Sequence, residues 1–337
     1  MKKYFMVLLI AVAAFAVAGC TGQGSGASTG AAASTATVKL SAFAGSLPKN
    51  TPTGVAMEFF VSQINEKADG SLQAASYYDT ELGDATSLVQ GLQHGTVDIG
   101  VCGDSYYSGL VPEIQIYELP FLFANVEEAR KAVDGPTKDI IFKKLEGKGI
   151  IGLCFWENGM RQLSNNIRPI KTPADLKGIK MRTLPATIQV EAWKALGALP
   201  TSIDASELYT ALQVGTVSAQ ENPIAEIEFR KFHEVQKYIS MTNHVYTPFC
   251  LSMSKVTANK LSPPQVQIIR DAAIAAQKVQ RDAATSANAS AMQKLIEKGV
   301  IIEEHPDLSR FKELTAPVYK IFTDANGDEL LKMIRGS

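Results

Sequence analysis

Three features of the sequence predict an α/β protein of two lobes with a cleft between them and a long helix behind both. They are its length, a duplicated fifteen-residue segment, and a regular alternation of strand-like and helix-like runs. At 337 residues, 46% of them apolar and 20% charged, the chain is long for one domain and natural for two with real cores. Lys and Arg number 33 against 34 Asp and Glu, a formal net charge of −1, and no basic run is interleaved with aromatics. A nucleic-acid partner is therefore not expected.

The duplication carries the architecture. Asp84-Ala-Thr-Ser-Leu-Val-Gln-Gly-Leu-Gln-His-Gly-Thr-Val-Asp98 recurs as Asp204-Ala-Ser-Glu-Leu-Tyr-Thr-Ala-Leu-Gln-Val-Gly-Thr-Val-Ser218, with eight of fifteen positions identical. In each copy Asp reads as a helix N-cap, the Leu residues lie four apart, and Gly closes the helix before a strand begins at Val. Common helix-end chemistry explains the Asp and the Gly, but not the shared Leu-Gln-x-Gly-Thr-Val.

The flanking segments repeat in the same order. Strands are expected over 38–43, 72–78 and 97–102, with a helix over 55–68 that carries apolar Val55, Phe59 and Ile64, and then the first duplicated helix. A strand over 150–155 ends at a turn, Trp156-Glu-Asn-Gly-Met160. The second half offers a strand over 179–183, a helix over 187–196 stopped by Gly197, a strand over 199–203, the second duplicated helix and a strand over 217–220. Alternation of this kind implies parallel sheets and two similar lobes. Residues 224–239 read as a helix, 245–253 as a strand crossing back to the first lobe, and 263–298 as one helix long enough to back both lobes. A short strand over 300–303 and terminal helices close the chain. The lobes are thus expected to comprise 38–158 with about 248–287, and 159–247 with about 288–337.

The N-terminus reads as an address. Lys2 and Lys3 precede an uncharged, mostly apolar run over 4–18, too short to cross a bilayer comfortably, so residues 1–19 read as an export signal. Val17-Ala18-Gly19-Cys20 matches the bacterial lipobox, which implies cleavage before Cys20, lipidation of its thiol, and a protein held at a membrane outside the cytoplasm. Residues 21–37 hold only Gly, Ser, Thr, Ala and one Gln and read as a flexible tether spanning roughly 20–25 Å. The other cysteines, Cys102, Cys154 and Cys250, sit inside apolar runs without paired spacing and are expected to be buried and unbridged. The four histidines show no ligand spacing with them, so neither a metal nor a cofactor is expected.

Functional loops in such a fold lie beyond the carboxyl ends of the strands. These loops are 44–53 and 103–107 in the first lobe, and 182–186 and 221–223 in the second. Facing sheets would bring all four to one cleft. Arg182, at a strand end after Ile179 and Met181, offers a fork of donors suited to a carboxylate; a solvated arginine or one paired with Asp or Glu is the plainer reading. Arg161 admits two readings, help for the same anion or a tie for its turn. Asn222 supplies an amide that donates and accepts. Tyr106, Tyr107 and Trp156 are candidates for the pocket walls, or plain core.

Several stretches together resemble the solute-binding proteins of TRAP (tripartite ATP-independent periplasmic) transporters, DctP type. They are Leu119-Pro-Phe-Leu-Phe123, Gly159-Met-Arg-Gln-Leu-Ser-Asn165, Arg168-Pro-Ile-Lys-Thr-Pro-Ala-Asp-Leu-Lys-Gly-Ile-Lys-Met-Arg182, Ala195-Leu-Gly-Ala-Leu-Pro200, Glu207-Leu-Tyr-Thr-Ala-Leu-Gln213, Gln220-Glu-Asn-Pro223 and Glu234-Val-Gln-Lys-Tyr238. The resemblance covers the chain from about Val38 to the end. It implies a periplasmic-binding-protein (Venus-flytrap) fold that closes on a small organic acid and delivers it to the membrane subunits of a TRAP transporter. It places Arg182 on the family's carboxylate clamp, Arg161 and Asn222 (with Glu221 beside it) on supporting positions, and Gly103, Asp104 and Tyr106 in the substrate-choosing loop. Two departures stand out: Ser218-Ala219 where Asp-Gly is commoner before Gln220, and the lipobox in place of a soluble-export signal. Asp104, if it faces the cleft, would repel a second carboxylate, which favours a monocarboxylate such as a sugar or keto acid over a C4-dicarboxylate. An enzyme on the same scaffold is disfavoured, because no nucleophile with a base, no phosphate loop and no convincing carboxylate pair emerges. A sensory subunit that reports ligand to a membrane receptor would share the cleft and differ only in partner.

Overall fold

The computed structural model describes residues 37–336; the export signal, Cys20 and all of the tether but Thr37 expected from the sequence lie outside the described residues. The first sheet forms from β1 (Val38–Phe43), β2 (Leu72–Tyr77) and β3 (Ile99–Gly103), in which β1 pairs parallel with both others. Helix α1 (Pro52–Lys67) connects β1 to β2, and α2 (Ala85–His94) connects β2 to β3. Helix α2 is the first duplicated helix. Asp84 caps it by accepting from the Ser87 N–H at 2.7 Å, and Gly95, at φ 75°, ends it in the left-handed conformation that glycine adopts without strain.

After α3 (Val126–Asp134) and α4 (Pro136–Gly147), β4 runs for sixteen residues, Ile150–Asn165. This corrects the expected end at residue 155 and the turn after it. Residues 150–160 of β4 pair antiparallel with β9 (Tyr246–Ser254), while 161–165 pair antiparallel with β7 (Ala219–Pro223). One strand therefore passes from the first sheet into the second. The residues read as a turn are a bulge, with a register shift between Glu157 and Gly159, and Gly159 sits at φ 125°. Gln280 satisfies the bulged backbone by accepting from the Glu157 N–H at 2.7 Å and donating to its carbonyl at 2.6 Å.

The second sheet adds β5 (Lys180–Thr183), α5 (Thr187–Ala195), β6 (Leu199–Ser202) and α6 (Leu208–Gln213) before β7, with β5 parallel to β6 and β7. Helix α7 (Ile224–Phe229) stops well short of the expected residue 239; Lys231, at φ 56°, turns the chain toward β8 (Tyr238–Ser240). The sheet order is β2-β1-β3-β9-β4-β7-β5-β6, mixed rather than purely parallel because the strands that cross between lobes run against their neighbours. The second duplicated helix also differs from its expected start. Asp204 binds the Ser206 N–H and hydroxyl, each at 2.8 Å, so the helix begins only at Leu208.

Beyond α8 (Lys255–Ala258), α9 (Pro263–Glu297) spans about 52 Å. Its Ile269, Ala272, Ala273 and Ala276 pack in the core under the first sheet, and its Ala291 and Leu295 pack in the core of the second lobe. One rigid element thus backs both lobes. β10 (Ile301–Glu303), α10 (Leu308–Thr315), α11 (Pro317–Asn326) and α12 (Glu329–Arg335) complete the chain. Phe311 of α10 joins the second-lobe core, whereas Val318 and Phe322 of α11 pack in the first-lobe core, which also takes in Ile188 and Ala192 of α5. Cys102, Cys154 and Cys250 are buried and unbridged, as the sequence implies.

Candidate functional site

A cavity of about 40 Å³, room for roughly three waters, lies where the two sheets meet. Gly103 and Tyr106 reach it from the end of β3, Asn158 from the bulge of β4, and Thr247 and Phe249 from β9. The second lobe contributes Arg182 from β5 and Leu184 just after it, Ala205 and Leu208 around the start of α6, Asn222 from β7, and Glu226 from α7 with Arg230 at its C-cap. Three of the four loops expected at the cleft are present; residues 44–53 are not among its walls. A larger hollow of about 540 Å³ lies on the outer side of Tyr106 toward Pro185 and Asn326. It is lined by hydroxyls, the amides of Gln115 and Asn326 and apolar groups, with no charged side chain. The smaller cavity has the chemistry.

Arg182 dominates that chemistry. Its side chain is fully buried, Nε donates to the Ile203 carbonyl at 2.8 Å, and the buried Nη2 has no partner. Burial pushes its guanidinium below the ordinary value, although the cation faces the Tyr106 phenol and the Glu221 carboxylate. A buried cation with unspent donors is costly unless an anion meets it.

Arg161 is equally buried and fully engaged. It binds both carboxylate oxygens of Glu221 through Nε and Nη2, the Glu221 carbonyl and the Asn222 Oδ1 through Nη2, and Thr247 Oγ1 through Nη1 at 3.1 Å. Burial works against the Arg161 charge, but Glu221 outweighs it and raises the guanidinium. For Glu221 burial likewise opposes the charge, yet Arg161 and the His244 ring 3.3 Å away hold the carboxyl down at about 2. Glu221 does not line the cavity; it neutralises Arg161 from behind. Asn222 donates to Gln220 Oε1 at 2.6 Å, leaving one amide hydrogen toward the cavity. Thr247 Oγ1 also accepts from Asn158 Nδ2 at 3.0 Å, while the buried Asn158 Oδ1 has no partner.

Besides Glu221, three expected residues lie elsewhere. Trp156 is fully buried in the first-lobe core, edge-on to Phe60 at 6.5 Å, because the strand it sits on turns its ring toward α1 and α9 rather than the cleft. Asp104 does not line the cavity either. Its carboxyl is fully buried beside that of Glu118; burial first, then the Glu118 charge, push it well above the ordinary range. Glu118 in turn is raised to about 7, chiefly by burial, and accepts from Gln189 Nε2 of α5. This pair sits on the contact between lobes rather than facing a ligand. Tyr107 is core as well, its hydroxyl 3.1 Å from Ser252 Oγ.

Tyr106 does face the cavity. Its hydroxyl accepts from the Ala205 N–H at 3.1 Å across the cleft, and burial raises the phenol to about 12, so its proton stays available to donate. Ser108 Oγ donating to the Pro185 carbonyl at 2.8 Å and Ile188 N donating to Gln115 Oε1 at 3.1 Å add two more ties between the lobes. The sequence reading missed Asn158, Thr247, Phe249, Glu226 and Arg230. Glu226 lies four residues beyond Asn222, in the first turn of α7, and was within reach of that argument; Asn158 was hidden because Glu-Asn-Gly reads as a turn.

The family described as bacterial extracellular solute-binding protein, family 7 (DctP) matches residues 43–325. The 2,3-diketo-L-gulonate-binding periplasmic protein YiaO of Escherichia coli K12 is 35% identical over 279 residues, covering 83% of this chain and 82% of that protein. A TRAP periplasmic solute-binding protein from Polaromonas sp. JS666, solved with D-erythronate bound, superposes with a TM-score of 0.85 at 34% identity, over 88% of this chain and 98% of its own. One from Sulfurospirillum deleyianum with bound succinate gives 0.84 at 27% identity, over 89% and 99%.

Proposed function

The chain belongs to the bacterial extracellular solute-binding proteins of family 7, and from that premise we propose that it captures a small organic acid between its lobes and delivers it to a TRAP-type membrane transporter. The observation that carries this reading is the buried Arg182 guanidinium with donors no protein group takes up. An acid carboxylate clamped there would supply the missing countercharge and two parallel hydrogen bonds. Arg161 acts as a fixed floor to the site, positioned by Glu221, and Asn222 and Tyr106 add donors from opposite lobes. The cavity is too small for an acid of several heavy atoms unless the lobes part to admit it. Closure is then driven by the ligand's preference for the closed form, since the clamp and the Tyr106 hydroxyl come from different lobes. Binding without turnover is the whole role of the cleft.

The cargo is a monocarboxylate carrying hydroxyl or keto groups rather than a C4-dicarboxylate. The support is that Arg182 is the one cavity cation without a carboxylate partner, Arg161 and Arg230 being paired with Glu221 and Glu226, while Asn158 and Tyr106 offer polar neutral groups. The division into lobes at residues 158 and 247 follows the bulge of β4 and the return of β9. Export, with Cys20 lipidated and residues 21–37 as a tether, would hold the protein near its transporter.

A thermal-shift screen of organic acids tests the reading. A bound acid at about 100 times its Kd stabilises the fold by about 2.7 kcal/mol. Sugar and keto acids raising the midpoint is the expected result; shifts with dicarboxylates alone would overturn the cargo class, and no shift with any acid would overturn the function.

A further inference from the structure

Helix α7 brings a second charged pair to the cavity, outside every residue considered so far as a ligand group. Glu226 and Arg230 lie one helical turn apart, and Arg230 Nε donates to Glu226 Oε2 at 2.7 Å. Such pairs ordinarily sit in solvent, where they contribute little. Here Glu226 is only 7% exposed, the Arg230 side chain 15%, and both line the cavity. Glu226 Oε1 accepts no hydrogen bond among the described residues, and Arg230 donates to protein through Nε alone. A largely desolvated ion pair is expensive to keep. This one leaves an acceptor and a set of donors unspent at the ligand's place.

We propose that the Glu226–Arg230 pair selects the tail of the ligand, accepting hydrogen bonds from its hydroxyls and donating to their oxygens, and rejecting a second carboxylate. The inference rests on the organic-acid reading of the cleft and deepens it. A hydroxyl is both donor and acceptor, so it matches a carboxylate and a guanidinium held side by side. The pair is neutral as a unit and offers no net charge to a second acid group. The Glu226 oxygen would meet such a group as like charge in a desolvated site, which is the repulsive element that selectivity requires. Asp104, turned into the contact between lobes, is not available for that task.

Calorimetric titration of D-erythronate and succinate into the wild-type protein, Glu226→Gln and Arg230→Gln tests the proposal. In Glu226→Gln the preference for erythronate over succinate falls at least tenfold, because the hydroxyl acceptor is weakened and the repulsion removed. In Arg230→Gln the unneutralised Glu226 shifts the preference the other way, at least threefold further toward erythronate. The opposite signs distinguish selection from general damage and keep the test decisive if one variant does not fold. A ratio that stays within twofold of wild type in the folded variants, or moves the same way in both, overturns the role of the pair and leaves the organic-acid reading standing. A wild-type protein that binds neither these two acids nor any other organic acid overturns both.

Discussion

Arg161 and Arg182 line one cavity, both fully buried, and their surroundings make them opposites. Arg161 has its whole fork engaged by Glu221, Asn222 and Thr247, and its charge is raised by that company. Arg182 has one protein hydrogen bond, to a backbone carbonyl, and its charge is disfavoured by burial. The first arginine is structural capital of the fold, complete in itself. The second is incomplete, and an incomplete buried cation marks where a ligand's charge belongs. Burial alone does not tell the two apart; the partner list does.

The sharpest way to break this contrast is to remove each arginine in turn. Arg161→Leu strands the Glu221 carboxylate in a dry interior and is expected to cost about 3–5 kcal/mol of stability, read by chemical denaturation. A loss below 1 kcal/mol would mean Glu221 has other support and that the two arginines differ less than their contacts suggest. Arg182→Lys removes a fork but not core packing. We expect unliganded stability to change by less than about 1 kcal/mol, while affinity for a bound acid falls about 100-fold by calorimetry. Unchanged affinity would strip Arg182 of its role.

Acidity sharpens the comparison between the carboxylates behind the site. Glu221 is held at about 2, so its stabilising contribution is present above its ordinary value of 4.5 and is lost as pH falls from there toward 2. Glu118 is raised to about 7, so its contribution is full below 4.5 and is lost as pH rises toward 7. Together these groups place maximum stability in mildly acidic solution. Glu118→Gln is expected to flatten the decline between pH 4.5 and 7, by on the order of 1–3 kcal/mol, while leaving the acid limb set by Glu221 in place. An unaltered decline would show that Glu118 is not the group titrating there.

Much of the fold was legible because local signals and tertiary demand agree. The span of β1 and the cap and glycine stop of α2 follow from side-chain chemistry alone. The second copy of the duplicated helix shows where that logic ends. Asp204 matches Asp84 in sequence, but the Ala205 N–H that would enter a first helical turn goes to Tyr106 of the other lobe, and Ala205 and Leu208 line the cavity. In the first copy the equivalent Ala85 is core, whereas the leucines, Leu88 and Leu208, are core in both copies. A long-range contact of this kind leaves no trace in spacing. The same holds for β4, where Gln280 of α9 supplies hydrogen bonds that turn an apparent loop end into a bulge within one strand. Of the site, Arg182 and Asn222 were readable from strand ends. The engagement of Arg161 was not, because its partners, Glu221 and Asn222 of β7 and Thr247 of β9, lie far along the chain from β4. Trp156 and Asp104 misled for one reason: position near a strand end says nothing about which way a side chain turns.

A crystal structure with a captured acid tests the central claim most directly. The account predicts both carboxylate oxygens within about 2.7–2.9 Å of the Arg182 guanidinium nitrogens, with Glu221 still bound to Arg161 behind them. An acid group seated on Arg161 with Glu221 displaced, or Arg182 turned out to solvent, would contradict it.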